Sequence, residues 1–218
     1  MKIKAYVVTM FGTNCFLVWD EESKEAMLID PGDYKKAIAR DIKDGGLVLK
    51  YLLLTHGHSD HYGGVPEFKA EFPDAPLVCS KEDLILIGDT DENDSLLFIN
   101  KRVVLDADMT IGEGDELKLG SIAFKVLETP GHSKGCLAFY TTEYDPELVN
   151  KEFSGTVFSG DTLFYQSIGR TDFYGGDLEE LTASVREKLF TLPDDTLMLP
   201  GHMNPSTIGN EKKYNPFF

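Results

Sequence analysis

Along the first thirty residues, short apolar runs alternate with breaks rich in Gly, Asp and Asn. Residues 3–9, 14–19 and 25–29 read as three strands of a meander, with turns at 12–14 and 20–24. Asp30-Pro31-Gly32-Asp33 stops the third strand and opens a helix over 34–44, with Asp33 as the expected cap. Residues 49–55 form a continuous β-rich run of the kind buried on both faces. A helix near 66–72, a short strand at 77–79 and a helix after Ser80 are expected next. The acidic stretch 88–100 breaks the pattern and reads as a mobile, solvated insertion.

Strand patterning returns over 110–129, interrupted by Gly112, Gly114 and Gly120. Residues 136–141 and 156–159 read as further strands separated by a charged hairpin. Between 177 and 192, Leu178, Leu181, Val185, Leu189 and Leu192 recur at helical spacing behind an Asp177 cap. Residues 196–199 form a last strand, followed by Pro200-Gly201-His202. There is no short repeat and no low-complexity segment. Two mixed halves of strands and helices predict an α/β sandwich of two sheets with helices outside, one domain over 1–218. No Gly-x-Gly-x-x-Gly follows a strand and no Walker-type Gly-Lys-Thr occurs, which removes the common nucleotide folds.

The 218 residues are 42% hydrophobic and 11% aromatic, enough for a sizeable core, and carry a formal charge of −16. That acidity argues against nucleic acid, whose binding draws on clustered Lys and Arg. No run approaches the ~20 apolar residues of a membrane span, and the N-terminus reads as a strand rather than a leader. Cys15, Cys79 and Cys136 are odd in number and widely spaced, so reduced thiols and a cytoplasmic setting are expected. Cys136, four residues after His132, reads as strand packing rather than a reactive thiol.

The chemistry gathers where apolar runs end. All 5 histidines lie in short Gly-flanked segments: His56, His58 and His61 in Thr-His-Gly-His-Ser-Asp-His, then His132 and His202, each in Pro-Gly-His. Neutral imidazole is the commonest protein ligand for zinc and similar metals. On a strand continuing past Leu54, His56 and His58 would project to one side and share an ion. Asp60 and His61 would face a second, and Gly63-Gly64 would let the chain fold closely over the cluster. Gly160-Asp161 ends another apolar run in the same way. Two divalent ions are therefore expected, His56, His58 and His132 on one, Asp60, His61 and His202 on the other, with Asp161 and a hydroxide between them. Two dications within ~4 Å repel, and an anionic bridge neutralises the pair. Zinc suits these donors; iron and manganese fit them too, because availability decides as much as affinity.

His-x-His-x-Asp-His followed by Gly-His, Gly-Asp and Gly-His resembles the metallo-β-lactamase superfamily over essentially the whole chain. The resemblance implies a four-layer αββα sandwich, and implies that Asp30 in Asp-Pro-Gly supports the metal cluster from behind. Ser159–Phe164, Ile168-Gly169-Arg170-Thr171-Asp172 and Asn215-Pro216-Phe217 look most like glyoxalase II-type hydrolases, especially short bacterial members without the helical C-terminal domain. The implied reaction is hydrolysis of a small-molecule thioester such as S-D-lactoylglutathione by metal-bound hydroxide, with Asp60 also orienting the nucleophile. Arg170 falls where such enzymes carry a cation that contacts glutathione, while Asp172 stands where they carry a tyrosine. Lys134, Lys212 and Lys213 are further cations that a glutathione arm could meet. Persulfide dioxygenases share the fold, the Gly-Arg-Thr-Asp-Phe segment and Gly135-Cys136, and would use one iron on His56, His132 and Asp161. Lactonases use the same metal core. The His202 loop, which completes a second metal site, favours the dinuclear hydrolase.

Overall fold

The apolar strands assemble into two six-stranded sheets that face each other. The structure is a computed structural model and describes residues 1–148 and 152–218. The first sheet holds β1 (Lys2–Val7), β2 (Asn14–Trp19), β3 (Glu25–Ile29), β4 (Val48–Leu53), β5 (Leu77–Ser80) and β6 (Met109–Ile111) in that order. Its first two pairings are antiparallel, as a meander requires, and the β3–β4, β4–β5 and β5–β6 pairings are parallel. The parallel crossovers carry α1 (Lys36–Asp44), then α2 (Ser59–Tyr62) and α3 (Val65–Glu71), then α4 (Leu84–Ile87) and α5 (Ser95–Phe98). The second sheet runs β14-β13-β10-β9-β8-β7 and is built from β7 (Glu116–Leu119), β8 (Ile122–Glu128), β9 (Leu137–Thr141), β10 (Thr156–Gly160), β13 (Leu197–Pro200) and β14 (Ser206–Thr207). A separate ribbon pairs β11 (Leu163–Phe164) with β12 (Ser167–Ile168). Helices α6 (Leu178–Glu187) and α7 (Ile208–Tyr214) complete the chain.

Period-two alternation decides the layers. In β2, Phe16 and Val18 point into the space between the sheets, where they join Met27, Ile29, Leu53, Phe124, Phe139, Phe158 and Leu199. Cys15 and Leu17 point the other way, onto Ile38 and Ile42 of α1 and Phe68 of α3. The outer face of the second sheet receives Leu181 and Val185 of α6, with Leu189 and Ile208 beside them. The result is helix, sheet, sheet, helix, as the resemblance implied. Among the described residues no helix is long and apolar enough to cross a membrane.

Several expectations shift at the boundaries. The first strand stops at Val7, not residue 9. Helix α1 begins two residues late, capped by no side chain, because Asp33 pairs with Lys35 instead. Asp177 does cap α6, accepting a hydrogen bond from Glu180 N at 2.9 Å, but the helix gives way to a 3₁₀ turn over Leu189–Thr191 rather than running to 192. The stretch 88–100 is not simply solvated. Asn93 is buried and its amide donates to the carbonyls of Gly88 and Val103, both at 2.9 Å, so α5 is pinned against the cleft. The charged hairpin includes 149–151, which lie outside the described residues. The three thiols are free and buried, and burial pushes Cys136 well above the ordinary thiol range.

Candidate metal centre

Five strands deliver the candidate side chains to one cleft. Asp30 follows β3 and accepts from Thr55 N and Thr55 Oγ1, each at 2.8 Å, which ties the ends of β3 and β4 together. Leu137 N then donates to Thr55 O at 2.8 Å and joins the second sheet to the same point. Strand β4 has already ended at Leu53, so His56 and His58 sit on a loop rather than a continued strand. Their rings still meet, with centroids 4.9 Å apart. Helix α2 carries Asp60 and His61. The glycines have a visible purpose here. A Cβ on Gly64 would lie 2.6 Å from Tyr34 N, and one on Gly201 would lie 2.2 Å from Asp161 Oδ1. Only a glycine in Pro200-Gly201-His202 lets that carboxylate reach the cluster.

The donor atoms fall into two groups. His132 Nε2 lies 2.9 Å from His58 Nδ1 and 3.3 Å from His56 Nε2. His61 Nε2 lies 3.2 Å from His202 Nε2, and Asp60 Oδ2 stands 3.6 Å from the first and 3.3 Å from the second. Asp161 touches both groups: Oδ2 is 3.6 Å from His132 Nε2 and 3.4 Å from His202 Nε2, and Oδ1 is 3.5 Å from His61 Nε2. Ligands about 2.1 Å from a tetrahedral ion stand about 3.4 Å from one another, the spacing seen throughout. Asp161 Oδ1 is buried without a hydrogen-bond partner, and imidazole nitrogens aimed at each other repel unless a cation lies between them. The donor set fits divalent metal ions. All 7 expected side chains contribute to it.

A second ring of contacts orients the donors. His132 Nδ1 lies 2.7 Å from the Arg170 carbonyl, His202 Nδ1 3.2 Å from the Phe11 carbonyl, and His56 Nδ1 3.1 Å from Thr55 Oγ1. Asp30 Oδ2 stands 3.0 Å from His61 Nδ1, on the side of the ring away from the donor cluster. Such partners fix the tautomer and aim of a ligating ring. Three residues went unnoticed in the sequence. Thr13 Oγ1 donates to Asp60 Oδ2 at 2.8 Å, and Asn14 Nδ2 donates to Pro200 O at 2.9 Å, anchoring the His202 loop. Buried Asp83 accepts from Gly57 N at 2.8 Å, Ser133 Oγ at 2.7 Å and Gly135 N at 2.8 Å. It clamps the His56–His58 loop to the His132 loop.

Without a metal, His56 and His58 titrate apart from His61 and His202. Burial first, then neighbouring histidines, push His56 well below the usual imidazole range and His58 down to about 3. Burial also acts to lower His61 and His202, but carboxylates outweigh it. Asp60, Asp161 and Asp30 raise His61 to about 9, and hydrogen bonds to Asp161 and Asp60 raise His202 to about 11. Burial disfavours the charged carboxylates of Asp60 and Asp161, yet His61 and His202 hold both below the usual range.

The cluster floors a cleft of about 660 Å³ whose walls include Phe11, Phe98, Phe164, Ile168, Phe173 and Met203. Arg170 also lines it, but its Nε and a terminal nitrogen pair with the two Asp172 oxygens at 2.6 and 2.7 Å.

Compared with known proteins, residues 8–202 match the profile of the metallo-beta-lactamase superfamily. The chain belongs to that superfamily. Within the superfamily it is 38% identical to the hydroxyacylglutathione hydrolase GloC of Haemophilus influenzae, over 100% of this chain and 98% of that one. It is 34% identical to the mitochondrial persulfide dioxygenase ETHE1 of Mus musculus, over 94% of this chain and 70% of that one. A crystal structure of TTHA1623 in a di-iron-bound form superposes with a TM-score of 0.79 at 34% identity, covering 99% of this chain and 100% of that one. These relatives include a hydrolase and a dioxygenase, so similarity to them spans two chemistries.

Proposed function

We propose that this protein is a dinuclear metal-dependent hydrolase that cleaves acyl thioesters, with S-D-lactoylglutathione as the reference substrate against which other thioesters are compared. The observation that carries the reading is Asp161, whose carboxylate faces both donor groups at 3.4 to 3.6 Å. One ion would be held by His56, His58 and His132, the other by Asp60, His61 and His202, with Asp161 shared. Bound divalent ions supply a water acidic enough to be a nucleophile at neutral pH and polarise the scissile carbonyl. The chain's own residues do the rest. Asp60 lines the cleft with Oδ2 fixed by Thr13, so it would accept a hydrogen bond from the attacking water and orient it. Asp30 holds the His61 ring in line. The cleft needs no side chain to protonate the departing sulfur, because a thiolate leaves readily.

Zinc, iron and manganese all suit a nitrogen and oxygen donor set, and the function is stated for any of them. A second reading has support in the similarity to ETHE1 and in the approach of His56, His132 and Asp161 at 3.3 and 3.6 Å. On that reading one iron would serve persulfide oxidation. Metal analysis of the purified protein, with thioester cleavage and oxygen consumption on glutathione persulfide measured side by side, decides between them. Two ions with thioester turnover support the hydrolase. One iron with oxygen uptake would replace it with the dioxygenase.

A further inference from the structure

Beyond the metals, the cleft carries its own account of what it admits. Its walls are mainly aromatic: Phe11 packs on Phe98 at a centroid distance of 6.0 Å, Phe98 on Phe173 at 5.4 Å, and Phe173 on His58 at 5.4 Å. The rim is apolar too, with Phe11 46% and Met203 56% exposed. Large rings left this open beside a site favour an apolar or aromatic guest.

The charges in the same cleft do not favour an anionic guest. Among the described residues that line it, Arg170 is the one Lys or Arg. Its guanidinium is engaged bidentately by Asp172 and lies over the Phe173 ring, 3.7 Å from the centroid. A substrate carboxylate would have to displace Asp172 to reach that fork. Asp94 also lines the cleft, its carboxylate accepting from Ser59 N at 3.0 Å, and no Lys or Arg among the described residues forms an ion pair with it. A carboxylate arm would meet a cation already engaged by Asp172 and the carboxyl of Asp94, which has no cation to offset it.

We infer that this cleft takes thioesters whose arm beyond the scissile bond is apolar and uncharged, up to aryl size, in preference to arms bearing free carboxylates such as glutathione. The inference rests on the hydrolase reading for the reacting group and on the wall residues for the arm. Phe98 and Phe173 stack the arm, while Asp172 and Asp94 select against negative charge.

The test uses the metal-loaded full chain and two thiols, glutathione and benzyl mercaptan, with their lactoyl thioesters. Each thiol presents the same sulfur to the metals, so the difference in affinity, measured by calorimetry, reports the arm. Benzyl mercaptan is expected to bind at least about tenfold more tightly, and its thioester to show a kcat/KM higher by a similar factor. Asp172→Ala, which frees Arg170, should move both ratios towards glutathione by about tenfold, and Phe98→Ala should weaken the benzyl arm selectively. Glutathione binding as tightly as benzyl mercaptan, or ratios unmoved by Asp172→Ala, would overturn the inference. Absence of any thioester turnover would count against the hydrolase reading instead, and the thiol affinities would still decide the arm.

Discussion

Among single residues, the carboxylates near the cleft carry unequal duties. Asp161 faces both donor groups, whereas Asp172 is exposed and paired with Arg170. Asp161→Ala should therefore lose bound metal and turnover together, while Asp172→Ala keeps its metal. Elemental analysis of the two purified variants checks this, and full occupancy in Asp161→Ala would remove the bridging role. Asp83 touches no donor atom but holds both histidine loops. In Asp83→Asn an amide N–H must face one of the three donors that the carboxylate now accepts from. Loss of such an outer partner typically costs 10- to 100-fold in metal affinity, so chelator competition should show a drop of that order. The His56, His58 and His132 group should weaken first. Unchanged affinity would mean that the clamp is incidental.

At the scale of elements, ligand delivery was legible because strand ends leave signatures. An apolar run followed by Pro-Gly-His or Gly-Asp marks the end of a strand and a tight turn, and the three side chains so marked meet the four of Thr55–His61. Gly201 shows why the glycine matters: Gly201→Ala puts a methyl 2.2 Å from Asp161 Oδ1 and should abolish metal retention while far-ultraviolet dichroism stays near native. Near-normal metal content would refute that steric reading. Other features left no local signal. Thr13 reaches Asp60 across 47 positions, and Phe11, Phe98 and Phe173 come from three distant segments, so no short window reveals the aromatic wall. The acidic composition of 88–100 concealed buried Asn93 and Ser95. Helix α7 was missed as well: it is a short segment, and its buried Glu211 is satisfied by Gln166 N at 2.7 Å and Asn215 Nδ2 at 3.0 Å, partners no periodicity displays. Asn93→Ala should remove the amide donor from the Gly88 carbonyl, while Ile87 O keeps Leu105 N and Val103 O keeps Ser95 Oγ, and cost about 1–3 kcal/mol of stability in chemical denaturation.

At the scale of the whole molecule, the metals and the fold are linked through protons. In protein stripped of metal, His61 and His202 are raised to about 9 and about 11. A histidine raised in the folded state stabilises it fully below its unfolded value near 6.5, and that contribution disappears as pH rises through the folded value. The stripped protein should therefore lose stability between pH 7 and pH 11, and the metal-loaded protein much less, since ions replace those protons. Thermal unfolding of both forms across that window tests the linkage, and parallel curves would contradict it. The dinuclear hydrolase stands or falls on the number of metal ions per chain in active protein during thioester cleavage. S-D-lactoylglutathione or a neutral lactoyl thioester should be hydrolysed at a rate that rises with the second equivalent of metal. Full activity at one equivalent, or oxygen uptake on a persulfide with no thioester cleavage at two, would contradict it.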